Sequence, residues 1–208
     1  MNPLEQRVSL EPSANRAPAW RTRWGGVSPR ILGLFVALVL SVSSLSQTQE
    51  VELEYKLKAA FLFNFLKFTE WPTNKYTPSE PSTIVGFMAD DPCIPFLTRA
   101  LEGKALAGNP IRLVTFHEND DPRNCHLLFL GRSRKNQIEE TLARLQQAPV
   151  LTVSEVDQFG QRGGILNFFR HEKTFRFEIN LEAAEAAHLR ISSDLSSMAT
   201  VVKTQRAK

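Results

Sequence analysis

Apolar residues crowd one stretch of this chain above all others, KAAFLFNFLKFTEWP at residues 58–72. Between Phe61 and Phe68 only Asn64 and Lys67 are polar. The stretch is too short to span a membrane and too apolar for a solvated helix, so it belongs in a core or against a partner. Glu52 to Thr69 reads as helix, with Leu53, Leu57, Ala60, Phe61, Asn64 and Phe68 at helical spacing. Phe63, Phe65 and Leu66 widen that stripe, and the C-terminal half is expected to be buried nearly all round. Pro72 ends the helix, because a residue before proline avoids the helical region.

The pattern then changes. Thr83–Met88 (TIVGFM), Ile111–Phe116, His126–Leu130 (HLLFL) and Val150–Val153 are short apolar runs. A turn at Asp90-Asp91-Pro92 and helices over Pro95–Gly103 and Lys135–Gln147 separate them, the second helix carrying Ile138, Leu142 and Leu145 on one face. Apolar strands alternating with helices predict parallel pairing. Further on, Gly164–Arg170 and Thr174–Asn180 flank His171-Glu172-Lys173 and predict a hairpin. Its second strand alternates Phe175/Phe177/Ile179 with Arg176/Glu178/Asn180. Gly163-Gly164 marks a sharp turn or a close approach to another backbone. A helix over Glu182–His188 follows. A last one is expected to be capped by Ser192 or Ser193 and to run to about Val202, with Leu195, Met198, Ala199 and Val202 as its apolar side. The expected fold is a single-domain α/β layered sandwich, with a mostly parallel sheet, a C-terminal β-hairpin and flanking helices.

The first 46 residues read differently. Residues 1–30 hold five arginines and two glutamates, Ile31–Val42 is an apolar run with Ser41 as its one polar residue, and Ser44-Leu45-Ser46 fits a small-x-small cleavage site. This is the layout of a signal peptide, with the α/β domain expected over 47–208. A start nearer Val27 would give a leader of ordinary length, and an uncleaved N-terminal anchor is the alternative. Of 25 Lys+Arg and 22 Asp+Glu, the part after residue 46 keeps 20 of each. The basic balance is therefore a property of the leader, and no nucleic-acid partner is expected.

Six blocks along the domain resemble the YfiR/HmsC family of periplasmic proteins. They are KAAFLFNFLKFTEWP (58–72), CHLLFL (125–130), PVLTVSE (149–155), Phe159 with Gly163-Gly164, RFEINLEAA (176–184) and LRISSDL (189–195). The resemblance implies an α/β sandwich in the periplasm, often a homodimer. It implies a repressor that binds the periplasmic domain of a membrane diguanylate cyclase, so that release raises cyclic di-GMP and favours biofilm formation. An outer-membrane lipoprotein is a second implied partner. Relatives often carry a cysteine where Gly86 stands, and longer or apolar side chains where Ser196 and Ser197 stand, which weakens any dimer seam on the last helix.

Catalytic chemistry has little support in the sequence. No Gly-x-Ser-x-Gly, Walker, Gly-x-Gly-x-x-Gly or His-Glu-x-x-His pattern occurs. His117, His126, His171 and His188 are scattered singly, so no metal and no cofactor is expected. Cys125-His126 resembles a nucleophile–base pair on paper, but neighbours on a strand point to opposite faces. Cys93 follows the first strand and Cys125 opens the third. If these strands are parallel the two lie at opposite ends, about 20 Å apart, whereas a bridge needs Cα atoms within about 7 Å. No intrachain disulfide is expected, although an ordinary bridge in a secreted chain is the alternative. Candidate partner- or ligand-binding residues are Asn64, Lys67 and Trp71 at the aromatic helix, and Asn167, Arg176, Glu178 and Asn180 on the hairpin's polar face. For the first set the structural alternative is a buried amide, a snorkelling lysine and a helix-end cover. For the second it is a solvated face with a weak ion pair. The leading functional reading is a non-enzymatic periplasmic regulator. The alternative is a small-ligand sensor with a pocket between the aromatic helix and the last hairpin.

Overall fold

The computed structural model describes residues 52–75, 81–88, 93–117, 120–172 and 174–205, all within one compact unit, Ser46–Lys208. The expected leader and cleavage site and the turn expected at 90–92 lie outside the described residues. Helix α1 spans 52–67. The Thr69 hydroxyl donates to the Phe65 carbonyl at 2.7 Å and closes its last turn. The chain then enters a two-residue strand β1 (Thr69–Glu70) before Pro72.

β2 (Thr83–Met88), α2 (Ile94–Leu101), β3 (Ala105–Leu106), β4 (Asn109–Phe116), β5 (Leu127–Leu130), α3 (Ile138–Arg144) and β6 (Leu151–Ser154) follow. Next come β7 (Leu166–His171), β8 (Thr174–Asn180), α4 (Leu181–Ala186), β9 (Arg190–Ile191), α5 (Ser193–Ser197) and β10 (Thr200–Val202). The main sheet runs β10-β8-β7-β6-β5-β2-β4-β3. Pairing from β4 through β2, β5, β6 and β7 is parallel, while β7–β8 is the expected antiparallel hairpin. β1 and β9 form a separate antiparallel pair.

Both faces of the sheet are covered, which is why β5 and β6 are buried at every position. One face carries Val85, Phe87, Leu127, Phe129, Leu151, Val153, Leu166, Phe168, Phe177 and Ile179 under α1, α2, α4 and α5. The other carries Met88, Phe116, Leu128 and Leu130 under Ile138, Leu145 and Phe159. Phe65 meets Phe168 and Phe177 with ring centroids 5.4 and 5.0 Å apart, joining α1 to the hairpin. Gly164 is where Phe159 packs: a Cβ there would stand 2.0 Å from the ring, so the close approach is to a side chain rather than to backbone.

Three expectations need correction. The inward face of α1 is Lys58, Ala59, Leu62, Phe65 and Leu66, whereas Leu53, Leu57, Ala60 and Asn64 are exposed. The C-terminal half of the helix is apolar nearly all round, so spacing alone did not choose its phase. The last helix ends at Ser197, and Thr200–Val202 is an edge strand parallel to β8. Ser192 does cap α5, accepting from Leu195 N at 3.2 Å. The expected helix over 135–147 is a 3-10 segment, Arg132–Gln137, followed by α3. Gly86 faces Phe116 and Leu128 and pairs in register with Leu128, so a cysteine there would not be level with Cys125.

Candidate binding cleft

Where α1 runs out, the chain folds back on the sheet and leaves a cleft. Trp71 forms one wall. Its indole N–H donates to the His126 carbonyl at 3.2 Å, and its ring stands edge-on to the imidazole at 5.7 Å. His126 is itself fixed, since its Nδ1 accepts from Ile84 N at 3.0 Å. The opposite wall is the β3–β4 hairpin. Leu106 pairs with Asn109, so the turn is Ala107-Gly108, with φ of 48° and 86°. Positive φ at both positions is the geometry of a two-residue turn that matches strand twist. Between the walls lies a cavity of about 690 Å³ lined by Phe63, Leu66, Lys67, Trp71, Leu106 and Asn109 among others. That volume suits a small ligand or an anchoring side chain.

Lys67 and Trp71 thus come together, while Asn64 lies on the exposed side of α1 and does not line the cleft. The hairpin residues separate into different roles. Asn167 and Glu178 are register partners on the sheet face away from α1, and Asn167 is buried. Asn180 is structural. Its amide N–H₂ donates to Gly160 O and Thr204 Oγ1, both at 2.8 Å, and its Oδ1 caps α4 by accepting from Ala183 N at 3.0 Å. Arg176 is exposed and borders a smaller cavity of about 380 Å³ with Phe61, Phe175, Phe177 and Met198. That cavity is where the sensor reading expected a pocket, but the larger one lies beside the C-terminal end of α1 and the β3–β4 hairpin.

The Cys125-His126 step is not an activated pair. Burial pushes the Cys125 thiol up to about 12, and its Sγ donates to Pro122 O at 2.9 Å. Burial, with the nearby Lys75 charge adding to it, pulls His126 down to about 4. A reactive thiolate needs the reverse shift. Cys93 and Cys125 are both buried thiols, one in each of the two cores. Among the described residues no group of three or more His, Cys, Asp or Glu gathers.

Sequence reasoning missed Lys58. Its side chain is 1% exposed, bonded to Glu54 Oε1 at 2.5 Å and to Glu155, and it lies over the Tyr55 and Phe175 rings at 4.6 and 5.2 Å. The available signal was Glu54, one helical turn earlier. Nothing local pointed to Glu155.

The YfiR/HmsC-like family matches residues 55–200, and the chain belongs to it. It is a family of periplasmic regulators of diguanylate cyclase signalling, regulatory rather than catalytic. No curated protein sequence matches the chain. A crystal structure of a conserved domain protein from Vibrio cholerae O1 biovar El Tor is similar at 14% identity, with a TM-score of 0.48. The similarity covers 58% of this chain and 55% of that one, so the chain spans about half of that protein's length. No helix among the described residues is long and apolar enough to cross a membrane.

Proposed function

We infer that this protein is a periplasmic repressor that binds the outer domain of a membrane diguanylate cyclase and thereby limits cyclic di-GMP and biofilm formation. The family match over 55–200 carries this reading. The outer side of α1 supports it: Leu53 and Leu57 are 69% and 43% exposed and lie one turn apart, with Ala60 and Asn64 continuing the same stripe. An apolar stripe of this kind is how one helix reads another surface. The test is cyclase activity in membranes carrying a diguanylate cyclase encoded next to this gene, with and without the purified protein. Inhibition that is lost in Leu57→Glu, with folding retained, is expected. Full activity at saturating protein would overturn the reading. Under it, an outer-membrane lipoprotein would compete for the protein, and a homodimer would be weak because Ser196 and Ser197 offer little apolar surface. The second reading, a small-ligand sensor, is favoured by the preformed cleft beside Trp71. Thermal stabilisation by a small molecule without capture of a cyclase would select it.

A further inference from the structure

The cleft beside Trp71 is apolar inside and cationic at its edge. Phe63, Leu66, Trp71 and Leu106 supply its apolar walls. The Asn109 amide also lines the cleft, and the other polar groups there have partners. The Trp71 indole N–H is held by His126 O at 3.2 Å, the Thr69 hydroxyl by Phe65 O at 2.7 Å, and the Glu70 carboxylate faces Arg190 at 3.8 Å. Besides the Asn109 amide, and with the Glu70 charge offset by Arg190, what remains is positive charge. Lys67 lines the cleft and is exposed, its ammonium 5.5 Å from the Phe68 ring. Lys104 stands over the Phe63 ring at 5.4 Å. Among the described residues neither ammonium meets a carboxylate.

An apolar body with one anionic end complements that arrangement. The walls disfavour a polar body, because Asn109 is their one side-chain amide, and the two ammonium groups select against a cationic head. The walls are also fixed in advance, by the Trp71 hydrogen bond and the two-residue turn, so little ordering opposes binding. We propose that the cleft binds a medium-chain aliphatic carboxylate, its chain between Phe63, Leu66, Trp71 and Leu106 and its carboxylate at Lys67 and Lys104. This site is independent of the cyclase reading, since it requires no partner.

Trp71 is the only tryptophan after Trp24, which makes it a reporter. In the full chain carrying Trp20→Phe and Trp24→Phe, sodium decanoate below its micellar concentration is expected to shift Trp71 emission saturably. Lys67→Glu with Lys104→Glu should weaken the affinity by about tenfold with the circular dichroism unchanged, since each exposed pair contributes little alone. Decylamine should fail to saturate. A linear, unsaturable response to decanoate, equal binding of decylamine, or an unchanged affinity in the double variant each overturns the proposal. Tighter binding of decyl phosphate would replace the carboxylate by a phosphate head and overturn that assignment. If an acidic peptide with an aromatic anchor saturates the signal while decanoate does not, the cleft is a protein-docking groove and the proposal falls.

Discussion

The ammonium of Lys58 and the carboxylate of Glu155 meet inside the protein, 1% and 5% exposed, bridging α1 to the end of β6. The pair has unequal support. Glu54 also touches Lys58, but it has a second cation in Arg170 at 3.3 Å. Among the described residues Glu155 meets no cation besides Lys58, so loss of Lys58 strands it in a buried site. Lys58→Met is therefore expected to cost about 3–5 kcal/mol, the usual penalty for breaking a buried pair from one side. Lys58→Met with Glu155→Leu should recover most of that loss. Urea denaturation of the parent and both variants measures the two effects, and a single variant as stable as the parent would contradict the argument.

His126 makes stability depend on pH. Its folded pKa of about 4 lies below its ordinary 6.5, mainly through burial. Between those values the unfolded chain binds more protons than the folded one, so stability rises with pH. The contribution is complete above about pH 6.5 and is lost as pH falls towards 4. His126→Asn keeps an acceptor for Ile84 N but removes the titration. Urea midpoints measured from about pH 7 down to about pH 4 should fall less steeply in that variant than in the parent.

The same residues show how far the sequence could be read. The parallel core was legible because strands buried on both faces must be continuously apolar, as LLFL at β5 is. The aromatic helix was legible as an element but not in its phase. The apolar surface of its C-terminal half goes nearly round, and the choice fell to Lys58 through a partner 97 positions away. The final strand was misread because Leu195, Met198, Ala199 and Val202 happen to fit helical spacing. The run Thr200-Val201-Val202 is β-branched, and that signal should have prevailed. Strands β1, β3 and β9 have two residues each, too few to show a period. The cleft was half legible. Lys67 and Trp71 stood out in the sequence, but their facing wall, Ala105–Asn109, comes from a distant turn with no marker beyond Gly108.

The thiols should behave alike when unfolded and differ little when folded. Both sulfurs are buried, in separate cores, and that of Cys125 is held protonated at neutral pH by its burial. Native protein at about pH 8 is expected to react slowly with a thiol reagent, since the thiolate is the reactive form. Denatured, non-reduced protein should titrate both cysteines of each chain as thiols. A monomer with none would mean that Cys93 and Cys125 are bridged, which would require the ends of β2 and β5 to be rearranged.

Asn180 carries three hydrogen bonds from one buried side chain, two donated and one accepted. It holds the end of β8 to Gly160 and Thr204 while starting α4. Asn180→Ala leaves the Gly160 carbonyl and the Ala183 amide without these partners. A loss of about 2–3 kcal/mol is expected, made up of a lost cap and an unsatisfied buried group. Asn180→Asp keeps the cap but cannot donate, so it should retain only part of the stability. Chemical denaturation of the pair separates the two contributions, and equal losses would mean that the cap contributes nothing.

Gly86 offers the sharpest test of the sheet's register. Relatives that this chain resembles often have cysteine there, which makes a bridge to Cys125 an obvious idea. In this fold Gly86 pairs with Leu128, and Cys125 lies three residues before Leu128, ahead of the start of β5. Three residues along a strand are about 10 Å, already beyond the Cα separation of about 7 Å that a disulfide tolerates. A Cβ at Gly86 would also stand 2.6 Å from Phe116 Cε2, so the ring must move. Gly86→Cys is therefore expected to destabilise by about 1–3 kcal/mol through overpacking. Under mild oxidation the introduced thiol should form no link to Cys125. Peptide mapping of the non-reduced variant decides the matter: a disulfide-linked peptide joining the substituted position to Cys125 would show that β2 and β5 pair in a different register.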